Sequence, residues 1–153
     1  MRAAAFLMLA AAPAAAAAQQ PADAGWRLVW SDEFGGDVID RGKWDFDIDC
    51  WGGGNNERQC YTDRPANAAV KDGRLVITAR KEAMTGPAFP LSQRGDPEKA
   101  KAEATKPFTS ARLVTRGKAA WTYGKIEGRA KLAQGQGTWA ANWMLPEANH
   151  YAT

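Results

Sequence analysis

Residues 68–80 read A-A-V-K-D-G-R-L-V-I-T-A-R. Two runs of strand-forming residues flank the pair Asp72-Gly73, and an Asp-Gly pair between such runs favours a tight two-residue hairpin turn. Leu75, Ile77 and Ala79 share one face of the second run, with Val76, Thr78 and Arg80 on the other. Both faces are partly apolar, which predicts a strand inside a sheet that packs on a second layer.

Working outward, the pattern repeats. Upstream, K-W-D-F-D-I at 43–48 alternates polar with apolar, predicting a half-buried strand with Trp44, Phe46 and Ile48 inward. Before it, G-W-R-L-V-W at 25–30 has the aromatic and branched composition of a strand, followed by a turn at S-D-E-F-G-G. Downstream, F-T-S-A-R-L-V-T-R at 108–116 and W-T-Y-G-K-I-E-G-R-A-K-L at 121–132 again suit strands, the latter with a sustained period of two. Gly135-Gln136-Gly137 turns the chain into T-W-A-A-N-W-M-L, where Trp139, Ala141, Trp143 and Leu145 align on one face. Residues 82–107 interrupt the series with four prolines and alternating charge. There Asp96 as N-cap and Pro97 at the first helical position predict a short surface helix. With no long helical period, short strands joined by Gly- and Pro-rich segments imply an all-β sandwich or barrel.

Composition narrows the class. Lysine plus arginine number 20 against 17 acidic residues, a net charge of +3, and the two signs are interspersed. A nucleic-acid binder would carry a basic stripe, so no nucleic-acid partner is expected. Met1-Arg2, an apolar run from Ala3 and the small residues to Ala18 read as a signal peptide over 1–18, too short to span a bilayer. A short linker over 19–25 and one domain over 26–153 follow. The expected location is secreted or periplasmic, with no membrane attachment after cleavage.

The densest stretch chemically is C-W-G-G-G-N-N-E-R-Q-C-Y-T-D-R-P at 50–65. Two cysteines in an exported chain favour a disulfide between Cys50 and Cys60; metal ligation is the alternative, weakened by the single distant histidine, His150. Three glycines give the loop unusual backbone freedom that such a bridge would restrict. A pinned loop carrying Asn55, Asn56 and Glu57 suits a polar ligand.

Six blocks in fixed order carry a family resemblance: L-V-W-S-D-E-F (28–34), G-N-N-E (54–57) with Y-T-D-R-P-A-N (61–67), D-G-R-L-V-I-T-A-R (72–80), F-T-S-A-R-L (108–113), Y-G-K-I-E-G-R-A-K-L (123–132) and G-T-W-A-A-N-W-M-L (137–145). The chain resembles the N-terminal part of a family 16 glycoside hydrolase of the laminarinase or endo-β-1,3-glucanase type. The resemblance implies a β-jelly-roll of two curved antiparallel sheets, incomplete in this chain, whose concave side binds a glycan, with a β-glucan polysaccharide as partner and a monomer in the full-length form. It implies substrate-binding roles for Asn55, Asn56, Glu57, Arg112, Trp139 and Trp143. The family's W-P-A-F-W reads W-A-A-N-W here, departing at Ala140 and Asn142. Glu33 and Gly73 match positions that in many members help hold a structural calcium, as an incomplete part of its oxygen shell. No cofactor is implied for catalysis.

The implied chemistry is retaining hydrolysis by two carboxyl groups about 5–5.5 Å apart. In the family these come from an E-x-D-x-x-E motif shortly after the block at 139–145, and no such pattern occurs among the 153 residues. Catalytic residues are therefore expected beyond Thr153, and this polypeptide is expected to lack hydrolase activity. A non-catalytic glycan-binding protein on the same fold is the competing expectation.

Overall fold

The computed structural model describes residues 25–53 and 55–147. The expected signal peptide, the linker through residue 24 and His150 lie outside them. The chain divides into two units at Ser31 and Asp32. In the first, Gly25 takes a φ of 102° and residues 26–30 form no strand, contrary to their composition. Composition sets strand tendency, but a strand exists only where a neighbour completes its ladder.

Among its described residues the second unit contains eight short strands: β1 (Asp45–Asp47), β2 (Gln59–Tyr61), β3 (Ala68–Lys71), β4 (Arg74–Ile77), β5 (Met84–Pro87), β6 (Glu103–Lys106), β7 (Phe108–Ser110) and β8 (Arg112–Val114). One five-residue helix, α1 (Pro97–Lys101), and a single 3-10 turn (Leu91–Gln93) complete it. The fold is all-β, in keeping with the jelly-roll class, with its sheets incomplete. Four two-stranded ladders stand in their place: β1 with β8, β3 with β4 and β5 with β6 antiparallel, and β2 with β7 parallel. Single bridges extend them, Asp49 to Tyr61 and Arg80 to Thr109.

The β3–β4 hairpin forms as its sequence dictates. Asp72 (φ 50°) and Gly73 (φ 67°) both take the left-handed conformation that matches the twist of the flanking strands. Helix α1 likewise starts where the sequence places it, the Asp96 carboxylate accepting from the amides of Glu98 and Lys99. Two expectations are corrected. β4 lies in a two-stranded ladder with Ile77 half exposed, not inside a packed sheet. Residues 121–147 contain the Gly135–Gly137 turn but no strand, and their side chains from Trp121 onward are exposed.

The core is small and largely polar. Cys50, Cys60, Ala68, Val70 and Ala111 are its apolar members, while Asp47, Asp49, Thr62, Asn67 and Thr109 are equally buried. Burial without partners would be expensive for these groups, and each is satisfied. Asn67 is the hub. Its Nδ2 donates to the Thr78 carbonyl (3.1 Å) and Thr109 Oγ1 (2.9 Å), and its Oδ1 accepts from Thr62 Oγ1 (2.6 Å) and Arg64 Nη2 (2.9 Å). Glu82 closes the network, accepting from Thr109 Oγ1 at 2.5 Å and pairing with Arg64. These bonds join the turn before β3, the residue after β4, and β7.

Candidate functional site

The site is built on the acidic face of β1. The alternation at 43–48 predicts Ile48 inward, yet Asp47 and Asp49 are buried and Ile48 is exposed. The reason lies across the sheet, where Arg112 of β8 stands directly opposite Asp47. Cross-strand partners bring their side chains within reach. Arg112 Nε donates to Asp47 Oδ2 at 2.8 Å, its Nη2 lies 3.8 Å from Asp49 Oδ2, and Arg116 Nη1 approaches Asp47 Oδ1 at 3.2 Å. Burial pushes the Asp49 carboxyl above its ordinary range, opposed by the Trp51 amide and the Arg112 guanidinium.

Above this base the same arginine meets β2. The Arg112 guanidinium carbon lies 4.6 Å from the centre of the Tyr61 ring, a cation–π contact. Tyr61 Oη donates to Glu57 Oε2 at 2.8 Å, and Gln59 Nε2 donates to Glu57 Oε2 (2.8 Å) and to Tyr61 Oη (2.9 Å). Glu57, Gln59 and Tyr61 meet because alternate residues of an extended chain share a face. Burial and the Glu57 carboxylate hold the Tyr61 hydroxyl up at about 12.

The disulfide joins Cys50 to Cys60, closing the loop as expected. Inside it, the amides of Asn55 and Glu57 both donate to the Gly52 carbonyl at 3.0 Å. Gly52 has a φ of 78°, and a Cβ there would stand 2.8 Å from the Glu57 carbonyl oxygen. Alanine at this position meets both strain and a backbone clash. Gly52→Ala is therefore expected to destabilise the chain by about 1–3 kcal/mol in urea unfolding. An unchanged midpoint would show that the loop adapts without loss.

The structure gathers some of the expected site residues and not others. Asn55 and Asn56 are exposed on the pinned loop, Asn56 with a φ of 56°. Glu57 is half-buried beneath them, and Arg112 is 16% exposed within its ion pairs. Trp139 and Trp143, 76% and 60% exposed, lie on the strandless segment. Glu127, a carboxylate on the 121–132 segment, is exposed and pairs with Lys125 at 3.2 Å. Asp47, Asp49, Gln59 and Tyr61 are participants that the sequence reading missed. The period of two running from Glu57 through Gln59 to Tyr61 is the signal that could have found three of the loop's members together.

Glu33 is exposed and Gly73 sits in the hairpin turn. Calcium takes roughly six to eight oxygens. Among the described residues no group of three or more carboxylate, histidine or cysteine side chains is placed to hold a metal. Among the same residues no helix is long and apolar enough to cross a membrane.

The site is thus a disulfide-pinned loop that offers the Asn55 and Asn56 side chains to solvent, seated on an all-β frame. No family model matches the chain. Among curated proteins it is similar to the Beta-glucanase of Rhodothermus marinus, 46% identical over 130 residues, covering 84% of this chain and 39% of that protein. It is 45% identical over 132 residues to the Glucan endo-1,3-beta-glucosidase of Cryptopygus antarcticus, covering 85% of this chain and 42% of that one. Among solved structures, the laminarinase from Rhodothermus marinus superposes with a TM-score of 0.50 at 44% identity, over 65% of this chain and 33% of that chain. The chain is similar to the laminarinase-type family 16 glycoside hydrolases over most of its own length. It spans about two fifths of the length of the curated relatives it matches.

Proposed function

We propose that this chain forms one wall of the glycan cleft of an exported endo-β-1,3-glucanase-type glycoside hydrolase acting on β-glucan. The observation that carries the reading is the exposed Asn55-Asn56 pair on the disulfide-bridged loop, in a chain 46% identical to a Beta-glucanase. An amide offers both donors and acceptors to vicinal sugar hydroxyls. The exposed indoles of Trp139 and Trp143 offer flat apolar area with one N–H donor, which suits the C–H face of a glucose ring. The disulfide and the N-terminal segment of Met1, Arg2 and alanines support a secreted or periplasmic location.

Hydrolysis in this reading belongs to the whole protein and proceeds by retaining double displacement between two carboxyl groups. The 153 residues contain no E-x-D-x-x-E, so the polypeptide by itself holds the glycan without cutting it. The same observation favours a second reading, a glycan-binding protein without catalysis on the same fold. Titrating this chain with laminarin tests the shared part. Laminarin is expected to change the tryptophan fluorescence saturably, with Asn56→Ala and Trp139→Ala each weakening binding about fivefold to tenfold. Silence of the fluorescence and of a direct calorimetric titration would sink the glycan role. Release of reducing ends by the purified chain would overturn the claim that it does not cut.

A further inference from the structure

We propose that Tyr61 is the positioning residue of the glycan loop, fixing the Glu57 carboxylate and through it the exposed Asn55-Asn56 pair. This rests on the glycan reading of the loop.

Three geometric facts converge on it. First, Glu57 Oε2 is engaged twice from below, by Tyr61 Oη and Gln59 Nε2, each at 2.8 Å. A carboxylate held by two donors on one oxygen is oriented, and charge-assisted bonds of this kind are stronger than neutral ones. Second, that orientation is transmitted to the loop. A Cβ on Gly53 would stand 2.8 Å from Glu57 Oε1, and the Glu57 amide donates to Gly52, so side chain and main chain of Glu57 both pack on the glycine turn that carries Asn55 and Asn56. Third, Tyr61 is itself held from behind. Its ring lies against the Arg112 guanidinium at 4.6 Å, and that guanidinium donates through Nε to Asp47 with Nη2 3.8 Å from Asp49. One line from the buried carboxylates to the loop thus runs through the Tyr61 hydroxyl to Glu57, beside the bond from the Trp51 amide to Asp49 Oδ1 at 3.1 Å. The raised ionisation of that hydroxyl keeps it protonated, and so a donor to Glu57, across the whole physiological range.

The test is a double-mutant cycle on this chain with Tyr61→Phe, Glu57→Gln and the two combined. Two readouts are followed: laminarin affinity by calorimetry, and hydrogen exchange of the Asn55 and Glu57 amides. Tyr61→Phe removes one oxygen and is expected to weaken laminarin about tenfold, with faster exchange of both amides and a urea midpoint close to that of the parent. The double variant is expected to be no weaker than the weaker single one, because both changes break the same link. Additive losses, or a Tyr61→Phe chain that binds as tightly as the parent with unchanged exchange, would overturn the proposal while leaving the glycan reading standing. A parent chain that binds no laminarin would instead remove the glycan reading, and the exchange rates alone would then decide whether Tyr61 positions the loop. Should Tyr61→Phe unfold, Glu57→Gln at the solvent end of the same bond supplies both readouts.

Discussion

Replacing Asn67 with alanine is expected to destabilise the chain by about 3–4 kcal/mol. Asn67 is 0% exposed and serves four partners from three separate segments. Alanine removes the hub and leaves the Thr78 carbonyl and the buried Thr62 hydroxyl without these bonds. Their desolvation is no longer compensated by these bonds. Urea unfolding at neutral pH checks it, with the midpoint falling and the slope unchanged. A loss below about 1 kcal/mol would mean that the neighbours re-pair. The exposed rim of the same network behaves differently. The Glu82 carboxyl is held below its usual range by the Thr109 hydroxyl and the Arg64 guanidinium. Its contribution is therefore present above the ordinary carboxylate range and lost as pH falls through its lowered folded value.

Arg112→Ala is expected to cost about 3–5 kcal/mol at neutral pH, because it leaves Asp49 without this ion pair and Asp47 with Arg116 alone, their side chains being 1% and 8% exposed. The pH dependence carries the distinctive signature. The folded Asp49 carboxyl already lies above its value of 3.8 in the unfolded chain, so the folded state binds this proton more readily than the unfolded one. Between those two values stability falls as pH rises. Removing Arg112 takes away a charge that favours the ionised form, raising the folded value further and widening the window. The penalty of the variant should therefore be smaller near pH 4 than near pH 7, compared by urea midpoints at the two values. Equal penalties at both would show that Arg112 stabilises through packing on the Tyr61 ring instead.

What could be read beforehand were features whose cause is local. The Asp72-Gly73 turn, the Asp96 cap with Pro97 behind it and the turn at Gly135–Gly137 each depend on a few consecutive residues. All three form where the residues place them. The Cys50–Cys60 bridge belongs with them, since closing a short loop asks little of the rest of the fold. Features with distant partners were misread. Alternation at 43–48 named the right strand but the wrong inward face, because the groups that make Asp47 and Asp49 tolerable inside, Arg112 and Arg116, stand more than sixty positions along the chain. Arg112, which the family resemblance assigns to sugar, pairs with Asp47 and Asp49 and lies against the Tyr61 ring.

The amino-acid sequence by itself determined that this is an all-β chain with a bridged, glycine-rich loop displaying two asparagines, and that it carries the ordered blocks of the family it resembles. Those properties follow from backbone preference, turn chemistry and spacing, which act over a few residues. Only the tertiary structure decided which faces turn inward, that the core is held by Asn67 and its polar partners, and that Tyr61 links the buried carboxylates to the loop. Burial reverses the ordinary preference for apolar groups only where every donor and acceptor finds a partner, and partners from distant segments are known only once the chain has folded.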